Sequence, residues 1–239
     1  MKTELDYMEY ASDAAAQAAY VTNASVSGTY ASQYPPVQSG TYVKATSQLS
    51  GTDYNPEKAT DPAKSLTGAI ENNSWTSASG GQANQRFHID LGSAKVINRI
   101  YYENGHDSGV STDRAPKNFT FWGSNSAISF ADLTYATDTG WIQLTTDISA
   151  LVQHVAADQA DPKYVVVTNT TAYRYYAFKF ADNWGSAILM GIRRVELQSL
   201  PTIDLYAYSE ATIKTQGAYS IKGIAATTSA LNKTLTKTF

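Results

Sequence analysis

The chain has no cysteine. That excludes a disulfide framework and a thiolate-held zinc, because both need Cys sulfur. Charge is scarce as well. Charged residues make up 16% of the chain, against roughly 25% in an average soluble protein. The formal net charge is -3, far from the basic stripe with which a nucleic-acid binder displaces counterions from phosphate. No apolar run approaches the ~20 residues that cross a bilayer as a helix. The opening residues hold Glu4, Asp6, Glu9 and Asp13 and lack an apolar core, so no secretion signal is expected. Also missing are His-Glu-x-x-His, a phosphate-cradling loop ending in Lys-Ser/Thr, and a Gly-x-Ser-x-Gly elbow. No catalytic residue is expected, and neither a nucleic acid nor a membrane is expected as partner.

What the chain does have is aromatic and hydrogen-bonding surface. Aromatics reach 12%, and 17 of them are Tyr, within a 43% hydrophobic fraction. That is enough apolar material to bury a core. From Arg86 onward, apolar and polar residues alternate with the period of a half-buried strand. Phe87, Ile89 and Leu91 alternate with His88 and Asp90 before Gly92. Lys95 to Glu103 alternates again, and further strands are expected at Asn118–Trp122, Trp141–Leu144, Tyr164–Thr168, Tyr173–Phe180 and Ile188–Leu197. Thr41 to Thr46 is an earlier candidate. Asp147 to Asp158 fits either a turn or two of helix or a long loop; His154 and Asp158 would share a helical face in the first case. Many short strands without a long helical period point to an all-β sandwich or jelly roll.

The ends read differently from the middle. Ala11 to Ala19 fits a short helix capped by Ser12 or Asp13, or a poorly ordered terminus. After Pro201, Ile203–Tyr208, Tyr219–Ala225 and Leu231–Phe239 read as three short strands. Four acids against Lys2 mark the first 24 residues, whereas Lys214, Lys222, Lys233 and Lys237 outnumber Asp204 and Glu210 at the far end. Opposite charge makes a shared β element of the two ends physically reasonable. The expected organisation is an N-terminal segment over 1–24, a β-sandwich over 25–200, and a C-terminal β segment over 201–239.

Several motifs in the middle stretch, taken in order, resemble the discoidin family, the galactose-binding-like jelly rolls also found as C-type domains of coagulation factors V and VIII. Ser74-Trp75-Thr76-Ser77 is similar to its Trp-x-Ser motif, and Phe87-His88-Ile89-Asp90-Leu91-Gly92 to its Asp-Leu-Gly strand. Ile97-Asn98-Arg99-Ile100, Phe119-Thr120-Phe121-Trp122-Gly123-Ser124, Arg174-Tyr175-Tyr176-Ala177-Phe178 and Ile192-Arg193-Arg194-Val195-Glu196-Leu197 continue the match. The flanks, Met8-Glu9-Tyr10 and Tyr219-Ser220-Ile221-Lys222 through Lys237, resemble pieces of modular virion and adhesin proteins of tailed bacteriophages. In that reading the discoidin-like unit is inserted between two parts of a flanking domain.

The resemblance implies glycan binding through loops at one end of the sandwich, and it implies that Trp75 is a packing residue. The loop from Glu103 to Arg114 has suitable chemistry: His106, Asp107, Asp113 and Arg114 supply charged and planar hydrogen-bonding groups. Arg114 either reaches a ligand or pairs with Asp113 or Glu103 to hold the loop. In a second loop, Trp184 either stacks on a ligand or folds onto the sandwich end, with Asn183 beside it to bind a hydroxyl. Tyr54 and Asn55 are further candidates from the first loop. The family also implies a structural Ca²⁺ held by carbonyls, an Asp and a last-strand Glu; Asp61 and Glu196 match best. The function expected from all this is a non-catalytic carbohydrate-binding module of a phage virion protein, folded in the bacterial cytoplasm and displayed in many copies on the particle surface. The alternative is a structural virion protein whose partners are other virion proteins.

Overall fold

In the computed structural model, residues 30–145 and 149–200 are described. The expected helix at Ala11–Ala19, the three C-terminal strands and the β element proposed for the two ends lie outside them.

Among the described residues, eleven strands form two antiparallel sheets packed as a jelly-roll β-sandwich. The first sheet runs in the order β1 (Ala31–Gln33), β11 (Gly191–Ser199), β5 (Arg99–Asn104), β9 (Lys163–Val166), with β3 (Trp75–Thr76) paired to the start of β11. The second runs β2 (Val43–Ala45), β4 (Gln85–Lys95), β10 (Tyr173–Phe180), β6 (Asn118–Ser124), β7 (Ile142–Gln143), with β8 (Ser149–Ala150) on β6. Helix is confined, among the described residues, to one turn at Ala127–Ala131 and two short 3-10 turns. The fold class expected from the strand pattern is the one observed.

The period-two pattern explains which face is buried. Phe87, Ile89 and Leu91 from β4, Phe119 and Phe121 from β6, and Tyr176, Phe178 and Phe180 from β10 meet Ile100, Tyr102, Ile192, Val195 and Leu197 from the other sheet. Trp75 is fully buried among them, 5.3 Å from the Phe87 ring, and its indole N–H donates to the Ser47 carbonyl at 2.9 Å. A buried Trp keeps its apolar mass only if that N–H finds a partner, and Ser47 supplies it. The Asp-Leu-Gly strand has its own structural logic. Asp90 takes the Arg174 guanidinium in a bidentate pair at 2.8 and 2.9 Å across the β4–β10 ladder, and also accepts the Gly92 amide. Gly92 sits at φ +73°, and a Cβ there would meet Pro36, so glycine is required.

The outer face of the second sheet is covered by the segment between β6 and β7. Phe130 and Trp141 pack there on Tyr175 and Ala177. His88 lies beneath them, fully buried, with Nδ1 3.0 Å from the Phe130 carbonyl and Nε2 without a partner. On the outer face of the first sheet, the Arg99 guanidinium lies between the Tyr30 and Tyr164 rings, at 3.7 and 4.3 Å.

One expectation changes and one alternative is resolved. Lys95–Glu103 is not one strand: β4 ends at Lys95 and β5 begins at Arg99. Between them Asn98 turns inward and donates to the Asn169 carbonyl. Of the two readings of Asp147–Asp158, the described residues 149–158 take the second: β8 is followed by a loop. His154 and Asp158 therefore do not share a helical face.

Candidate functional site

Three loops meet at one end of the sandwich. The first spans residues 64–74, the second joins β5 to β6 (105–117), and the third runs from 151 to 161. Backbone and side-chain hydrogen bonds knit them together. The Gly68 carbonyl accepts the Ser108 amide at 2.9 Å, and the Gly68 amide donates to Asp158 Oδ1 at 2.7 Å. Ile70 donates its amide to Asp107 Oδ1 at 3.4 Å. A small depression opens where the first two loops meet the start of β11; Ile70, Ser74, Thr76, Asp107, Ser111 and Arg114 are among its lining residues.

The second loop is tightly constrained. Ser108 and Ser111 both take positive φ, 50° and 55°, a conformation that non-glycine residues adopt only when the surroundings impose it. Gly109 has φ +79°, and a Cβ on it would stand 2.4 Å from the Asp158 backbone nitrogen. Such closeness between backbones is open to glycine alone.

Within this frame each expected residue has a definite place. His106 is buried. Its Nδ1 accepts the Gly109 amide at 3.0 Å, so Nε2 carries the proton toward the Leu66 carbonyl, also at 3.0 Å. The ring stacks on His154 at 4.0 Å. Burial pushes the His106 pKa down, with the neighbouring His154 and Arg193 acting in the same direction. The imidazole thus serves as a loop brace beneath the depression. Asp107 is half-buried; one oxygen meets Ile70 and the other has no hydrogen-bond partner among the described residues. Arg114 is half-exposed and, among the described residues, its guanidinium makes neither an ion pair nor a hydrogen bond. The pairing with Asp113 or Glu103 is not made. Asp113 is exposed and offers its carbonyl to Ser186, while Glu103 is taken by Tyr101 and by the Asp161 amide.

The second candidate loop adjoins the first. Ala115 and Asp113 accept the amides of Trp184 and Ser186 through their carbonyls. Asn183 spends its side chain on its own loop, donating to Ser186 and Leu189 and accepting from Gly185. Trp184 is half-buried against the sandwich end; its indole N–H donates to the Leu151 carbonyl at 3.2 Å, and Lys117 lies over the ring at 4.8 Å. The structure therefore brings His106, Asp107 and Arg114 to the depression, and Asn183 and Trp184 to its neighbouring loop.

Tyr54 lies near enough to the depression for Asp107 and Arg114 to act on its phenol. Burial raises its phenol above the ordinary value, as do the carboxylates of Glu71, Asp53 and Asp107, and the Arg114 guanidinium opposes them. Glu71, Ser74 and Thr76 carried no site signal in the sequence; Ser74 and Thr76 stood out only as members of the Trp-x-Ser motif, and Thr76 lies in β3.

A calcium ion would need six to eight oxygens. Asp61 gives Oδ1 to the Ala63 amide of its own turn, and Glu196 is taken by Ser32 at 2.6 Å and Arg194 at 3.3 Å. The carbonyls of Lys64, Gly68 and Ala69 face guanidinium groups. This donor set does not fit a divalent cation. Among the described residues, no group of three or more His, Cys, Asp or Glu is placed to hold a metal.

No curated protein matches the sequence. Several solved structures are similar in fold. One is a mutant of chitosan-binding module 1 derived from a chitosanase/glucanase of Paenibacillus sp. IK-5, at 16% identity and TM-score 0.47, covering 72% of this chain and 100% of that one. Another is the family 32 carbohydrate-binding module from C. perfringens NanJ in complex with galactose, at 12% identity and TM-score 0.45, covering 66% and 92%. A third is the CBM32 of AlyQ in complex with 4,5-unsaturated mannuronic acid, at 21% identity and TM-score 0.41, covering 65% and 92%. The family model DUF5000, a domain of unknown function, matches residues 64–198, from the loop that Arg194 holds to the last strand; the chain belongs to this family.

Proposed function

We propose that this protein is a non-catalytic carbohydrate-binding module that takes its ligand in the depression between the 64–74 and 105–114 loops. The observation that carries this reading is the unpaired Arg114 guanidinium beside the half-free Asp107 carboxylate, with the Tyr54 phenol in the same field. A sugar presents vicinal hydroxyls that accept from a planar guanidinium fork and donate to a carboxylate. Its apolar C–H face packs on an aromatic ring. A shallow open site of this kind gives weak affinity, about millimolar to micromolar. Display in many copies turns that into useful avidity.

A glycan array probed with multimerised protein, followed by calorimetry on the hits, tests the proposal. R114A is expected to weaken binding by about tenfold or more, the loss of one charge-assisted bidentate contact, with Tm unchanged. Absence of binding to any glycan by the multimerised wild type would overturn it.

The setting we propose is the surface of a phage particle, where the module meets host-surface or mucus glycans. Supporting this are the likeness of the flanking segments to phage adhesin pieces and a cysteine-free chain suited to folding in a reducing cytoplasm. Immunoblots of purified particles test that placement. Particles that carry the protein but bind no glycan through it would favour the purely structural role.

A further inference from the structure

The 64–70 loop contains no regular secondary structure, yet it delivers Ile70 to the lining of the depression, so its position must be imposed from outside. Besides the contacts with Ser108, Asp158, Asp107 and His106 described above, two consecutive arginines of β11 hold it. Arg194 Nη2 donates to the Lys64 carbonyl at 2.6 Å. Arg193 Nη2 donates to the Gly68 carbonyl at 2.7 Å, and its Nη1 reaches the carbonyls of Ala69 at 3.2 Å and His106 at 3.4 Å. Both side chains are buried, Arg193 completely.

Successive residues of a regular strand point to opposite faces. Here the β11–β5 register shifts between Ile192 and Arg194. An extra residue in the ladder re-aims its side chain, which lets Arg193 and Arg194 reach the same loop. The positive charge is balanced locally: Asp158, Asp107 and Glu103 surround Arg193, and Glu196 pairs with Arg194. Convergent backbone carbonyls of this sort are the ligands a hard divalent cation takes. Here a planar five-donor fork takes them.

We infer that Arg193 and Arg194 lock the first loop in the place of a structural metal ion, and that Arg193 is the positioning residue of the depression. Its carbonyl partners lie on both loops that lead into the depression: Gly68 and Ala69 on one, His106 on the other. Lysine would keep the charge but not the fork, since an ammonium is a compact point donor. Each guanidinium also leaves its Nε buried without a partner. The lock is held together by geometry at a cost in unsatisfied donors.

The test uses the intact chain and no sugar, so its outcome is independent of the proposed ligand. Wild-type Tm is expected to be the same in millimolar calcium and in EDTA. A rise of about 10 °C with calcium, the size mass action gives an ion roughly a thousandfold above its Kd, would overturn the inference. Hydrogen exchange supplies the second readout. R193K is expected to speed exchange in both the 64–70 and 105–109 peptides while β4 and β10 stay protected. R194K, which touches only one carbonyl of the loop, is expected to loosen residues 64–67 alone. Unchanged exchange in both variants would also overturn it. Should R193K not fold, the calcium comparison and R194K still decide.

Discussion

At the scale of single residues, the buried histidine of the second sheet has the clearest measurable consequence. His88 lies under Phe130 and Trp141, and burial lowers its pKa to about 4 from 6.5, with the Arg86 and Lys44 cations acting in the same direction and Asp132 and the Phe130 carbonyl opposing. The folded protein therefore keeps His88 neutral where the unfolded chain would protonate it. The resulting stability is fully present above pH 6.5 and is lost as pH falls toward 4. The loss amounts to about 3 kcal/mol. Urea melts across that range are expected to show the decline, and H88Q is expected to flatten it; a wild-type curve level from about pH 7 to about pH 4 would contradict the assignment. Residue identity alone did not reveal this site. In the sequence, His88 is only the polar partner in an alternating strand, and nothing there shows that a later segment covers it. Arg193 was equally hidden, because a charged residue in a closing strand reads as solvent-facing until the bulge is seen. By contrast Trp75 was legible through the resemblance of its Trp-x-Ser motif, which implies a packing role, and it is fully buried.

At the scale of elements, legibility followed strand length and regularity. β10 at Tyr173–Phe180 carries eight residues of alternation and was readable to its ends. β1 and β3 have three and two residues, too few for a period to register. The helical turn at Ala127–Ala131 is likewise below the length at which a helical repeat shows, although Ser126 caps it by accepting the Ser129 amide. Of the loops, the 105–114 segment was recognisable from its glycines and polar residues, but its dependence on the 151–161 loop was not. That dependence gives a prediction. G109A must fit a methyl group 2.4 Å from the Asp158 backbone at φ +79°, so the two loops are expected to separate. Near-ultraviolet circular dichroism and proteolysis should show loop exposure near residues 105–114 and 151–161, with the strand core retained. Normal proteolytic resistance in G109A would mean that the loop packing tolerates the methyl group.

At the scale of the whole molecule, the architecture was legible and the site only in outline. The strand pattern identifies a sandwich, and the loop chemistry singles out one end of it as the proposed binding end. Which side chains point into the depression depended on hydrogen bonds formed between segments far apart in sequence, such as Ile70 with Asp107, and no local pattern encodes those. One global feature has a mechanical meaning. β1 and β11 pair antiparallel with Ala31 opposite Ser199 and Gln33 opposite Leu197, so the described chain enters and leaves the sandwich through neighbouring strands. A tension applied through residues 30 and 200 would load the three-residue β1 pairing first, opening its bonds in succession like a zipper rather than shearing them together. The depression, built on the far side of that pairing in sequence, is expected to keep its shape at forces that have already freed β1. Optical-tweezer traces should then show a small early extension well before the sandwich gives way, whereas a single all-or-none rupture would mean that the load is shared across the sheet.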